Sequence, residues 1–253
     1  MDIEKAKKVF ENYVKQYDLE NPRMKLKFQH SHRVMDCAGR IAQSLKLSEE
    51  KVELAKLIGL LHDIGRFEQI RIYNTFTDHK SIDHGDLGAE ILEKDNYIRE
   101  YIEEEKYDNI ILKAITNHNK FKIEEGLSEE EFLFAKLIRD ADKLDIFYEG
   151  AEMFWNTEEE REKIGKSKIT KEVLKEFNDK HLIDRRDIVT LADSILSFIA
   201  FVFDLNFKYT YEIIKKEKYI KKILDKFIFK DEVTAEQMEQ IRERAEQLEI
   251  SNN

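Results

Sequence analysis

One proline, Pro22, and eight glycines are all that punctuate this chain of 253 residues. Hairpin turns and sheet corners draw far more heavily on those two residue types. An all-β sandwich or barrel is therefore excluded, and the apolar spacing agrees, because steps of three and four residues recur almost everywhere. The expected fold class is all-α: a helical bundle with a C-terminal helical extension. A core over residues 1–150 and an extension over 151–253 are expected to pack as one compact domain.

Composition narrows the partners. The chain carries 43 Lys+Arg against 53 Asp+Glu, a net charge of −10, which argues against a nucleic-acid polymer or an anionic membrane as its main partner. With 16 Phe and 10 Tyr it is too aromatic for a disordered acidic chain. A lone cysteine, Cys37, excludes an internal disulfide and a cysteine-built zinc site. The longest strongly apolar run, SILSFIAFVF, is ten residues held between Asp193 and Asp204, whereas a bilayer span takes about 20. The N-terminus, MDIEKAKKVFENYV, reads as an amphipathic helix with no signal-peptide core. A cytoplasmic location is expected.

The periodicity predicts a first helix over about 3–17 and a second from Lys25, with His30, Val34, Ala38, Ile41 and Leu45 on one stripe. Ser48 is placed to cap a third helix, which runs through Val52, Ala55, Ile58 and Leu61 to His62-Asp63-Ile64-Gly65, with the glycine as terminator. Residues 66–85 have no clean period and read as a long, functional connection. Further helices are expected over 86–94 and 108–118. Another follows a Ser128/Glu131 capping box. Residues 156–186 are charged and weakly periodic. Beyond them come a buried helix over 187–204, a Lys-rich one over 210–227, and a last helix boxed by Thr234 and Gln237 with Met238, Ile241, Ala245 and Leu248 on its apolar face.

Several titratable residues fall on inward faces. His30 leads the apolar stripe; His62 follows Ile58 by one turn; His118 follows Ile111, Ala114 and Ile115; Asp142 follows Ala135 and Ile138. Burying imidazoles and a carboxylate is costly unless they are paired or coordinate something. Each alone has an ordinary reading as a hydrogen-bonded core residue. Asp142 has Arg139 and Lys143 as possible partners and Asp140 as a rival inward acid. Together, on separate helices, they suit a metal site, and mixed imidazole and carboxylate ligands favour Mn, Fe, Co, Ni or Zn, as one ion or two. Between His30 and His32, a rotation of about 200° keeps both from facing one ion, and the stripe favours His30.

His30-Ser31-His32-Arg33-Val34, Gly59-Leu60-Leu61-His62-Asp63-Ile64-Gly65, His84-Gly85, His118 and Arg139-Asp140-Ala141-Asp142-Lys143-Leu144-Asp145 resemble the HD-domain metal-dependent phosphohydrolases. The resemblance covers about residues 25–148. It implies an all-α fold with a divalent metal held by His30, His62, Asp63 and Asp142. It also implies that His84 and His118 hold a second metal bridged by Asp63, or contact phosphate, or donate a proton. Such a metal lowers the pKa of bound water and offsets phosphoryl charge. On this reading Asp63, His84 and His118 are the catalytic candidates, and Arg66 and Lys143, beside the motif, are candidates for binding substrate phosphate. The branch with a Gly-Tyr-Pro segment after the histidine cluster is not expected, since the one proline is Pro22.

The function expected is hydrolysis of a phosphate ester or anhydride of a small molecule, with a nucleotide as the leading class. Di-iron oxygen chemistry, known on the same ligand pattern, is the alternative; a non-catalytic nucleotide-binding protein is a third. The segment after 150 matches no motif and is read as a substrate lid or a homodimer surface.

Overall fold

The computed structural model describes residues 1–247, with no strand among them. The chain divides into two compact units, Met1–Asp145 and Ile146–Asn253.

The first unit contains α1 (Ile3–Val14), α2 (Pro22–Ser44), α3 (Glu49–Leu61), α4 (Ile64–Tyr73), α5 (His84–Glu93), the short α6 (Ile98–Tyr101), α7 (Asp108–Asn117) and most of α8 (Glu129–Glu152). The second helix starts three residues earlier than the periodicity suggests. Asn21 accepts from the Arg23 N–H at 3.0 Å, and Pro22 takes the first helical position, where its missing N–H costs nothing. Ser48 caps α3 through the Lys51 N–H, and Ser128 and Glu131 exchange the two bonds of a capping box before α8. The core centres on α2 against α3, the most extensive helix contact, with Val34, Ala38, Ile41, Leu54, Leu57 and Leu61 fully buried.

Two expectations fail between residues 61 and 85. Gly65 does not terminate α3. The helix ends at Leu61, and the chain bends at Asp63 (φ −105°, ψ 17°) before restarting as α4. Gly65 lies inside α4 because α5 crosses there: a Cβ on it would sit 2.3 Å from the His84 carbonyl oxygen and 2.7 Å from the Gly88 nitrogen. Residues 66–73 are consequently helical, and the irregular connection shrinks to 74–83. The inward face of α4 carries Gly65 and Gln69 beside Ile64, Phe67 and Ile70, which blurs its apolar period. Asn74, left-handed at φ 51°, closes it by donating its N–H to the Ile70 carbonyl.

The second unit adds α9 (Glu158–Gly165), α10 (Lys171–Asn178), α11 (Leu191–Ile199), α12 (Lys208–Lys216), α13 (Tyr219–Leu224) and α14 (Glu232–Gln247). The helix expected from 187 begins at Leu191, because Thr190 and Asp193 form a capping box there. The Lys-rich helix expected over 210–227 is two helices, broken where Lys218 turns left-handed at φ 55°. The cap of α14 is Asp231, which accepts from the Thr234 N–H at 3.1 Å, in place of the Thr234/Gln237 pair. Met238 and Ile241 are buried on α14; the Ala245 side chain and the whole of Leu248 lie outside the described residues. Phe198 packs edge-on against Phe147 and Trp155, and Trp155 against Phe227. No helix among the described residues is long and apolar enough to cross a membrane.

Gly65→Ala should cost about 3 kcal/mol in urea unfolding, since the added methyl meets backbone that has no rotamer to yield.

Candidate metal centre

Five helices and one bend of the first unit point polar atoms at a common volume. On α2, His30 is fully buried one turn before Val34. Gly59 lets α3 lie directly on α2, since a Cβ there would stand 2.8 Å from Met35 Cα, and this brings His62 beside His30 with their Nε2 atoms 3.3 Å apart. Asp142 on α8 reaches His30 Nε2 at 3.1 Å and His62 Nε2 at 3.7 Å. Asp63, released from α3 by the bend, turns Oδ2 toward this group, 3.6 Å from His30 Nε2 and 3.5 Å from His62 Nε2. Its Oδ1 faces a second group, 3.3 Å from His84 Nε2 and 3.6 Å from His118 Nε2. Those two nitrogens are 2.9 Å apart.

The tautomers follow from what lies behind the rings. His62 Nδ1 donates to the Gly59 carbonyl at 2.8 Å and His118 Nδ1 to the Ile115 carbonyl at 2.6 Å. Carbonyl oxygens only accept, so both Nδ1 atoms carry the proton. His30 and His84 place Nδ1 on the carboxylates of Asp145 (2.7 Å) and Asp78 (2.8 Å). With Nδ1 engaged on all four rings, the Nε2 atoms are the ones turned toward each other and toward two carboxylates. Such a set is held together by shared protons or by a cation that replaces them. Ligand atoms about 2.1 Å from one ion and at tetrahedral or octahedral angles stand roughly 3.0–3.4 Å apart; the observed 2.9–3.7 Å spacings bracket that range, so small side-chain shifts would fit a divalent cation. His30, His62 and Asp63 form one such group, and Asp63, His84 and His118 another.

The charges agree. Burial pushes the Asp63 carboxyl up, but Lys27, His62 and the neighbouring His118 and His84 rings outweigh it and hold the group well below the usual carboxylate range. Asp142 is likewise held low against its burial by His30 and His62. Burial and Lys27 push His30 down, yet Asp142 and Asp145 carry it up to about 9. His118 is pushed down to about 4, chiefly by burial, with Asp63 opposing. It is neutral at pH 7 and offers a lone pair rather than a proton.

The six histidine and aspartate positions singled out in the sequence thus converge. His79 and His181 are exposed, and His32 is half-buried against the Phe10 and Phe28 rings. Asp140 is fully buried and Asp142 only partly so, so burial alone would favour Asp140; the contacts to His30 and His62 single out Asp142. Arg66 sets Nη1 on Asp78 at 2.9 Å and on the Phe76 carbonyl at 2.7 Å, with Nε 3.6 Å from Asp63. Lys143 is buried.

Other residues escaped the sequence reading. Lys27 holds Asp63 Oδ2 at 2.7 Å; its signal is a position one turn before His30. Asp145 binds His30 Nδ1 and takes Arg33 through both oxygens, at i+3 from Asp142 and His30 respectively. Arg139 donates to the carbonyls of Asn117 (2.8 Å) and Lys120 (2.6 Å) and so closes the end of α7 behind His118. Asp78 comes from the irregular connection and had no periodic signal.

Cation binding at neutral pH has to displace the proton of His30. Metal affinity should therefore rise with pH up to about 9 and level off above it, which isothermal titration with Mn²⁺ across that range checks. His30→Ala should lower affinity by at least about tenfold, and His32→Ala should leave it within about twofold.

Comparison with curated proteins and with solved structures gives no match. The HD domain family matches residues 28–146, a span that holds every one of the six converging residues. HD domains bind divalent metals and make up, in general, a superfamily of metal-dependent hydrolases. Residues 28–146 of this chain are an HD domain.

Proposed function

We propose that the protein is a metal-dependent phosphohydrolase that cleaves a phosphate ester or anhydride of a small molecule, with nucleotides as the leading class. The observation that carries this reading is the company kept by Asp63. Its two oxygens serve two groups of ring nitrogens, and two cationic side chains, Lys27 and Arg66, stand against it.

A divalent cation held by His30, His62, Asp63 and Asp142 would supply Lewis acidity and a nucleophilic water at neutral pH. The chain's own residues do the rest. Asp63 stays ionised against its burial and can orient a water toward phosphorus through a lone pair. Lys27 and Arg66 retain 18% and 11% side-chain exposure, enough to meet a phosphoryl group while their positive charge offsets what builds on its oxygens. Phe76 lies between them, its ring centre 5.8 Å from Lys27 Nζ and 5.3 Å from the Arg66 guanidinium carbon. An aromatic surface beside two phosphate-seeking cations is suited to a nucleotide. Lys143, the other candidate for phosphate, is the more buried cation.

Phosphate release from a panel of nucleotides and phosphate monoesters with added Mn²⁺ tests the reading, and absence of turnover on every member would refute it. Asp63→Ala should abolish turnover with the helices intact by circular dichroism, whereas Asp140→Asn retains metal. Lys27→Met gives a finer check, because Lys27 competes with a cation for Asp63 and yet attracts phosphate. Mn²⁺ affinity should rise, and KM for the substrate should rise about tenfold; a parallel fall in metal affinity would show that Lys27 only supports the fold.

A further inference from the structure

The irregular connection 74–83 is tied down from α4 at several points. Arg66 Nη1 donates to the Phe76 carbonyl, and Gln69 Nε2 donates to the Ile82 carbonyl and the Ser81 hydroxyl, each at 2.9 Å. Both side chains also donate to Asp78 Oδ1 at 2.9 Å. Its other oxygen, Oδ2, accepts from His84 Nδ1 at 2.8 Å, with the Asn119 amide at 3.3 Å. Asp78 is thus held from α4 and from the segment after α7, and it holds one ring. It touches none of the inward-facing nitrogens.

That ring needs a holder. His62 and His118 are oriented by carbonyls of their own helical turns, Gly59 and Ile115, so their direction is a local matter. His84 opens α5, and no carbonyl of a preceding helical turn lies behind it. The Asn119 amide also stands 3.3 Å from His84 Nδ1, but Asp78 is the nearer and the charged partner at 2.8 Å; without it the imidazole is held only by the longer contact, and Asp63 and His118 lose a firmly set third donor of their group.

We propose that Asp78 is a positioning residue for a second cation. By fixing His84 through Nδ1 it makes Asp63, His84 and His118 a second ion site beside that of His30, His62, Asp63 and Asp142, with Asp63 shared. This rests on the metal-binding reading above and gives the irregular connection a role, since it delivers the carboxylate that decides whether the centre holds one ion or two.

Mn²⁺ alone is the probe, measured by equilibrium dialysis and by electron paramagnetic resonance of the whole chain. The unaltered protein should bind two ions and show the signal of a spin-coupled pair. Asp78→Ala should weaken the second ion by about tenfold or more, remove the coupled signal and leave the first ion within about twofold. His84→Ala should do the same by removing the ligand itself. Asp78→Ser, too short to reach His84, is the milder substitution and is read in the same way if the alanine variant does not fold. One ion in the unaltered protein, two retained in the Asp78 variants, or both lost together would each overturn the proposal. Two bound ions without phosphate release would leave it standing and count only against the phosphohydrolase reading.

Discussion

Everything in the first unit is organised around one electrostatic problem. Four imidazole rings and two carboxylates meet in a volume from which water is nearly excluded. Removing that many donors from water is costly unless positive charge repays it. Asp63 shows how it is answered: buried to 2% exposure, it keeps its negative charge because Lys27 and the surrounding rings outweigh desolvation. The same balance is what makes the site a receptor for divalent cations.

The helices serve this centre through close approach. Gly59 lets α3 lie against the backbone of α2 and so pairs His62 with His30. Gly65 lets α4 lie against the start of α5 and so pairs Asp63 with His84. Without those two contacts the helices could pack further apart and still bury their leucines, but the ring nitrogens would no longer share one volume. A backbone bend at Asp63 completes the arrangement. Had α3 continued, His62 and Asp63 would diverge by about 100° rather than face the same pair of groups.

Behind each ring stands an acceptor that sets its tautomer, and these acceptors differ in origin. Two are carbonyls belonging to the helices of the ligands themselves; two are carboxylates brought from elsewhere, Asp145 on α8 and Asp78 in the connection after α4. The carboxylates are in turn gripped by Arg33 and by Arg66 with Gln69. Orientation of the centre therefore depends on charged side chains outside its set of ligands.

How much of this was legible in the sequence depends on the range of the interaction. The all-α class and most helix positions followed from three- and four-residue spacing and from caps such as Ser48 and Ser128, because helix formation and capping act within a few residues. The inward direction of His30, His62, His118 and Asp142 followed from the same local periodicity. The helix over 64–73 was hidden, since its buried face includes Gly65 and Gln69, whose places are justified only by α5 and the connection they touch. The tasks of Lys27, Asp78, Asp145 and Arg139 were hidden for a parallel reason. What each one does is set by a partner 19 to 115 positions away, or by a loop with no period. Which faces turn inward was thus written in local spacing. Which charges stand behind the inward-facing rings was decided only by packing, because a hydrogen bond between distant segments leaves no periodic trace in either of them.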